Sequence, residues 1–118
     1  SIRAFIHIKD VVRATLQLAL EAEPGSTWHL STQESLSIRE LVEQICALTC
    51  ADFNALIQMN DERLGKDKSY LLDSSKMRQI HGWTDQVSLQ KGLQETLAWV
   101  DGNLAKLKTL PWRYQHKS

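Results

Sequence analysis

Arg63, Gly65 and Lys66 stand close together in the stretch RLGKDKSYLLDSSK, residues 63–76. Arginine offers a planar fork that matches two phosphate oxygens, lysine adds a point charge, and glycine lets the backbone approach an anion closely. Each charge-assisted contact of this kind contributes about 1.5–3 kcal/mol to binding. On residue types alone, a phosphate clamp competes here with a solvated loop of incidental charges, because Asp61, Glu62 and Asp67 are interleaved with the bases. Arg3, far away in the chain, reads by itself as a surface arginine.

Other chemistries find less support. Glycines occur only at positions 25, 65, 82, 92 and 102, so neither a G-x-G-x-x-G turn nor a P-loop can be built. His7, His29, His81 and His116 are scattered, and no CxxC or HExxH spacing suggests a metal site. Cys46 and Cys50 read as a half-buried thiol and a helix terminator. Ser37, Ser74 and Ser88 read as caps or turns, and no G-x-S-x-G elbow is present, so no catalytic residue is assigned. The closing WRYQHKS reads as a solvated tail.

With 14 basic and 14 acidic side chains, the chain lacks the basic excess that a nucleic-acid or membrane-surface partner favours. Its 118 residues make one domain, large enough for an ordinary core without metals or disulfides. Two cysteines are too few for a disulfide scaffold, and a reducing, cytoplasmic setting is expected. The chain opens Ser1-Ile2-Arg3-Ala4-Phe5, straight into a strand-like segment, and is expected to be a piece of a longer protein.

The elements that must position these residues follow from periodicity and capping. AFIHI, residues 4–8, alternates as a strand does, and Asp10 sits where an N-cap belongs ahead of VVRATLQLALEAE. In that segment Arg13, Gln17 and Glu21 form a polar stripe on an otherwise apolar, well-buried helix ended by Pro24-Gly25. STWHLS, residues 26–31, reads as a second strand with Trp28 and Leu30 on one face. Ser37-Ile38-Arg39-Glu40 fits a capping box, and Ile38, Leu41, Val42, Ile45 and Leu48 trace one helical face behind it. NALIQM, residues 54–59, reads as a third strand. A helix capped by Asp73 runs to about Ile80 with Gly82 beyond it, and Ser88 caps a long helix whose stripe is Leu89, Leu93, Leu97 and Val100. Leu104, Leu107 and Leu110 suggest one more short helix. The order β-α-β-α-β-loop-α-α describes an α/β domain with a small, about three-stranded, mostly parallel sheet.

These stretches together resemble the C-terminal part of an extended short-chain dehydrogenase/reductase, the NAD-dependent epimerase/dehydratase family acting on nucleotide sugars. RAFIHIKDVVRATLQLAL resembles that family's R-x-F-x-H-V-x-D-V strand and helix; TWHLSTQESLSIRELVEQI resembles Y-N-I-G followed by S-I-x-E-L. RLGKDKSYLLDSSKMRQIHGW resembles R-P-G-x-D…D-x-S-K…L-G-W, and VSLQKGLQETLAWV the closing helix. Departures are Trp28 and His29 for tyrosine and asparagine, Cys50 for a helix-ending glycine, and Leu64 for proline.

The resemblance implies a fragment lacking the Rossmann half, with residues 1–32 the last β-α-β of the sheet and 33–118 a small substrate-binding domain. It implies that Arg3 and Arg63 contact a nucleoside-diphosphate sugar, with Lys66 near the same phosphates and the loop's far end fixed by Tyr70 to Leu72. The whole protein would use NAD(P), with the Tyr-x-x-x-Lys pair and glycine fingerprint on the missing N-terminal domain, and would form a homodimer. A non-catalytic, stand-alone binding or oligomerisation module with the same fold is the alternative.

Overall fold

A computed structural model describes residues 1–59 and 65–113. Its elements run β1 (Ile2–Arg3), α1 (Ile8–Glu21), β2 (Leu36–Ser37), α2 (Ile38–Thr49), α3 (Phe53–Leu56), β3 (Ser69–Tyr70), α4 (Ser75–His81) and α5 (Leu89–Leu107). The sheet has three strands in the order β2-β1-β3. β1 pairs antiparallel with β2 (Ile2 opposite Ser37) and parallel with β3 (Ile2 opposite Ser69). The expected three-stranded α/β unit is present, with one pairing of each sense.

The strands are not where alternation placed them. Residues 4–7 form no strand, and Ile8 already opens α1. Residues 26–31 carry no ladder, although Trp28 and Leu30 do pack together against the core. Residues 53–56 turn into the short α3 because the Asp52 side chain accepts the Asn54 N–H, an N-cap that overrides the apolar run.

The capping signals were the better guides. Ser37 and Glu40 complete the capping box in both directions: the Glu40 N–H donates to the Ser37 Oγ at 3.1 Å, and the Ser37 N–H donates to the Glu40 carboxylate at 2.6 Å. Ser88 caps α5 by accepting the Lys91 N–H at 3.2 Å, and α4 ends at Gly82 with φ +63°. The N-cap of α4 is Ser74 rather than the expected Asp73; the Asp73 carboxylate accepts the Ser75 N–H at 2.9 Å from one residue before the cap. α5 continues through Leu107 without a break, so Leu104 and Leu107 extend it rather than starting a further helix.

Two expectations for α1 are corrected. Its N-cap is His7, whose Nδ1 accepts the Lys9 N–H at 3.1 Å. Asp10 lies inside the first turn and is 2% exposed. Nor is the helix well buried, because its polar stripe faces inward. Arg13 donates to the Thr84 carbonyl at 2.6 Å, Gln17 to the His81 carbonyl at 2.6 Å, and Glu21 meets the His81 ring at 2.9 Å. The end of α4 and the turn after it leave carbonyls that need donors, and this stripe supplies them. Ile8, Val12, Leu16 and Leu20, four residues apart in turn, are 50–89% exposed on the other side.

The core is small. Ala14, Met77 and Trp83 are fully buried, with Ile6, Leu18, Trp28 and Leu30 around them. Two guanidinium groups lie over the Trp83 indole, Arg78 at 5.2 Å and Arg13 at 5.9 Å from the ring centre, and its N–H donates to the Asp10 carbonyl at 3.2 Å.

Candidate functional site

Parallel pairing of β1 with β3 brings the first residues of the chain beside the cationic loop. The Ile2 N–H donates to the Lys68 carbonyl at 2.8 Å, and Arg3 stands opposite Tyr70. The Arg3 side chain turns to the same segment: one Nη donates to the Ile2 carbonyl at 2.9 Å, the other to the Asp67 carbonyl at 3.3 Å, and the guanidinium carbon lies 5.7 Å from the Tyr70 ring centre. Among the described residues no carboxylate pairs with it.

Gly65 has φ +82°, a conformation that favours glycine, and the exposed Lys66 follows directly. Arg63 lies outside the described residues. Arg3 and the loop that carries Lys66 are therefore neighbours across the sheet. The far end of that loop is held by strand pairing and by Arg3 rather than by burial, since Tyr70, Leu71 and Leu72 are 38–56% exposed.

Two clefts lie beyond the strand ends. One of about 260 Å³ runs between Ala4, the 31–35 segment and Leu71–Ser75. A larger one of about 430 Å³ is walled by Phe5, Glu34, Leu36 and the 84–89 turn. They share Thr32, Gln33 and Arg78. Arg78 is fixed by the Ser74 hydroxyl at 2.9 Å, the Ser31 carbonyl at 2.8 Å and the Asp85 carboxylate at 2.6 Å. Burial alone would raise the Asp85 carboxyl, but the hydrogen bonds from Arg78 and Thr32 outweigh it and hold it below its ordinary value.

Asp10 plays the corresponding part for the 84–89 turn. Its carboxylate accepts the Gln86 and Val87 N–H groups at 3.0 Å each and the Arg13 guanidinium at 2.9 Å. Sequence reasoning missed this role. The R-x-F-x-H-V-x-D-V resemblance was the signal that could have raised it, since an N-cap reading does not explain why the acid should recur in such a motif.

Among the described residues, no three His, Cys, Asp or Glu side chains gather to hold a metal ion, and no helix is long and apolar enough to cross a membrane. The turn before α1 is Phe5-Ile6-His7, without the glycines that let a backbone cradle a pyrophosphate.

The architecture is that of a short-chain dehydrogenase/reductase: DesIV of Streptomyces venezuelae, a dTDP-glucose 4,6-dehydratase solved with NAD bound, superposes with a TM-score of 0.86 at 27% identity, covering 94% of this chain and 34% of that one. The enzyme WbmF of Bordetella bronchiseptica, solved with NAD+ and UDP, superposes with a TM-score of 0.74 at 25% identity over 92% of this chain and 31% of that one. In sequence, the chain is 26% identical over 112 residues to the dTDP-glucose 4,6-dehydratase of Escherichia coli, covering 86% of this chain and 31% of the relative. No model of a known protein family matches it. The chain spans a third or less of the length of the curated relatives it matches. It is thus a relative of the nucleotide-sugar dehydratases and matches a C-terminal part of the extended short-chain dehydrogenase/reductase family.

Proposed function

We propose that the chain is the substrate-binding portion of an NAD(P)-dependent nucleotide-sugar epimerase or dehydratase, and that it anchors the substrate diphosphate with Arg3, Arg63 and Lys66. One observation carries the reading: the Arg3 guanidinium reaches the Asp67 carbonyl and the Tyr70 ring, so a cation with no carboxylate partner among the described residues sits against the loop of Lys66. A dianion at that place gains charge-assisted hydrogen bonds from two segments at once. The relatives and neighbours named as dTDP-glucose dehydratases, and the UDP held by WbmF, support a nucleoside diphosphate as the ligand class.

In this reading residues 1–32 complete a Rossmann-like sheet and residues 33–118 form the substrate-binding domain. NAD(P) and the proton-transfer residues belong to an N-terminal Rossmann domain, and the whole protein is a homodimer. The exposed stripe of Ile8, Val12, Leu16 and Leu20 supports a docking partner for α1. In the intact enzyme, Arg63→Ala weakens nucleotide-sugar affinity far more than NAD(P) affinity; equal losses of both refute the anchor.

The same stripe supports a second reading, a stand-alone oligomerisation module that binds no sugar nucleotide. Sedimentation with and without UDP separates the two. Self-association with no response to UDP favours the module.

A further inference from the structure

The His7 ring sits between α1 and α5, and its two nitrogens are used in opposite senses. Nδ1 accepts the Lys9 N–H at 3.1 Å, and Nε2 lies 3.2 Å from the Glu95 carboxylate. A backbone N–H can only donate, so Nδ1 carries a lone pair and the single ring proton sits on Nε2, where the carboxylate accepts it. The side chain is 13% exposed, and its Cδ2 edge packs on Gly92, where an added Cβ would come within 3.1 Å. We propose that His7 is a proton-sensitive cap. With one proton, on Nε2, it closes the first turn of α1; a second proton, on Nδ1, breaks the cap and loosens the hold of Asp10 on the 84–89 turn.

A protonated Nδ1 is a donor facing a donor. It also places a positive charge at the helix N-terminus, where the unpaired N–H groups already carry positive partial charge. The charged groups around the ring pull both ways. Glu95, on α5, draws the second proton. Lys9, whose Nζ shares the same carboxylate oxygen at 3.1 Å, and Lys91, one turn earlier on α5, oppose it. The hydrogen bond from Lys9, with the charges of Lys9, His7 and Lys91, holds the Glu95 carboxyl below its ordinary value. It therefore remains an ionised acceptor over the range in which imidazoles titrate.

The effect reaches the larger cleft because Asp10 belongs to the turn that His7 caps. The Asp10 N–H donates to the His7 carbonyl at 3.0 Å. Its carboxylate, already paired with Arg13, holds the Gln86 and Val87 N–H groups of the cleft wall at 3.0 Å each. None of these contacts involves the diphosphate anchors.

The test is NMR on the 118-residue chain and its His7→Asn variant. Asparagine keeps a side-chain oxygen for the Lys9 N–H but takes up no proton. Long-range ¹H–¹⁵N spectra of the parent ring are expected to show Nε2 protonated and Nδ1 bare; an Nδ1–H tautomer overturns the cap. As pH falls and the ring takes its second proton, the Lys9, Gln86 and Val87 amides are expected to shift with the ring's own midpoint. Protection of the Lys9 amide against hydrogen exchange, relative to His7→Asn, falls about fivefold. His7→Asn shows none of these steps. A Lys9 amide that ignores the ring's titration overturns the switch, as does the same step in His7→Asn. So does a ring that stays singly protonated for as long as the chain is folded. A step at Lys9 with none at Val87 overturns the link to the cleft. The parent spectra decide by themselves if His7→Asn does not fold.

Discussion

The Asp10 carboxylate accepts the Val87 N–H at 3.0 Å across 77 positions of sequence, and its second oxygen accepts the Gln86 N–H at the same distance. That pair of bonds ties the first turn of α1 to the turn between α4 and α5. Because the turn walls the larger cleft, a side chain remote from Arg3 fixes the shape of the surface beyond the strand ends.

Removing the carboxylate leaves two backbone N–H groups and the Arg13 guanidinium without their acceptor in a buried site. Asp10→Ala is expected to destabilise the chain by about 3 kcal/mol, measured by denaturant unfolding. Burial on its own would raise the Asp10 carboxyl, but the N–H groups of Gln86 and Val87, with Arg13, outweigh it and hold the pKa below the ordinary 3.8. The folded value is therefore depressed relative to the unfolded one. The stabilisation is fully present above about pH 4 and is lost as pH falls through the folded value. Unfolding free energy measured from pH 6 down to pH 2 falls less steeply in Asp10→Asn than in the parent; parallel curves contradict this account.

Cys50 closes α2 in the left-handed region with φ +54°, the one positive φ among the described non-glycine residues. A Cβ in that conformation is strained, and glycine removes the strain at some cost in chain entropy. Cys50→Gly is expected to raise stability by about 0.5–1 kcal/mol, seen as a higher thermal midpoint without a change in helix content by circular dichroism.

Two glycines of α5 make opposite predictions. Nothing lies within 4 Å of a Cβ built at Gly102, so Gly102→Ala gains helix propensity, about 0.8 kcal/mol. A Cβ at Gly92 meets the His7 ring at 3.1 Å. That ring is held at both nitrogens, by the Lys9 N–H at 3.1 Å and by Glu95 at 3.2 Å, and cannot simply move aside. Gly92→Ala is expected to forfeit the propensity gain and to destabilise, and equal midpoints for the two variants contradict this packing.

What was legible in the sequence divides along the range of the interactions. Ser37 with Glu40, Ser88 and Gly82 act within a turn of their own helices, so letter patterns sufficed to find them, while the cap expected at Asp73 falls one residue later, at Ser74. The two-residue strands are too short to carry alternation, and their pairing joins residues far apart, so periodicity placed strands in apolar runs that the fold uses otherwise. Arg13, Gln17 and Glu21 read as no more than a polar stripe because their partners, the Thr84 and His81 carbonyls and the His81 ring, lie about 60 to 70 positions away. Of the three proposed anchors, Arg63 and Lys66 were raised by their residue types and Arg3 by the resemblance, and the contact of Arg3 with the loop bearing Lys66 is visible only in three dimensions. Arg63 lies outside the described residues.

The most direct test of the anchor is a ¹⁵N-labelled titration of the chain with dTDP, inorganic phosphate and thymidine. Amide shifts at Ile2–Ala4 and Lys66–Tyr70 should move together and saturate with dTDP. They should move less with phosphate and not at all with thymidine, and a Lys66→Ala/Arg63→Ala double variant should abolish the response. Saturating dTDP that leaves these amides in place, or moves only amides remote from β1 and β3, would contradict a diphosphate held between the first strand and the cationic loop.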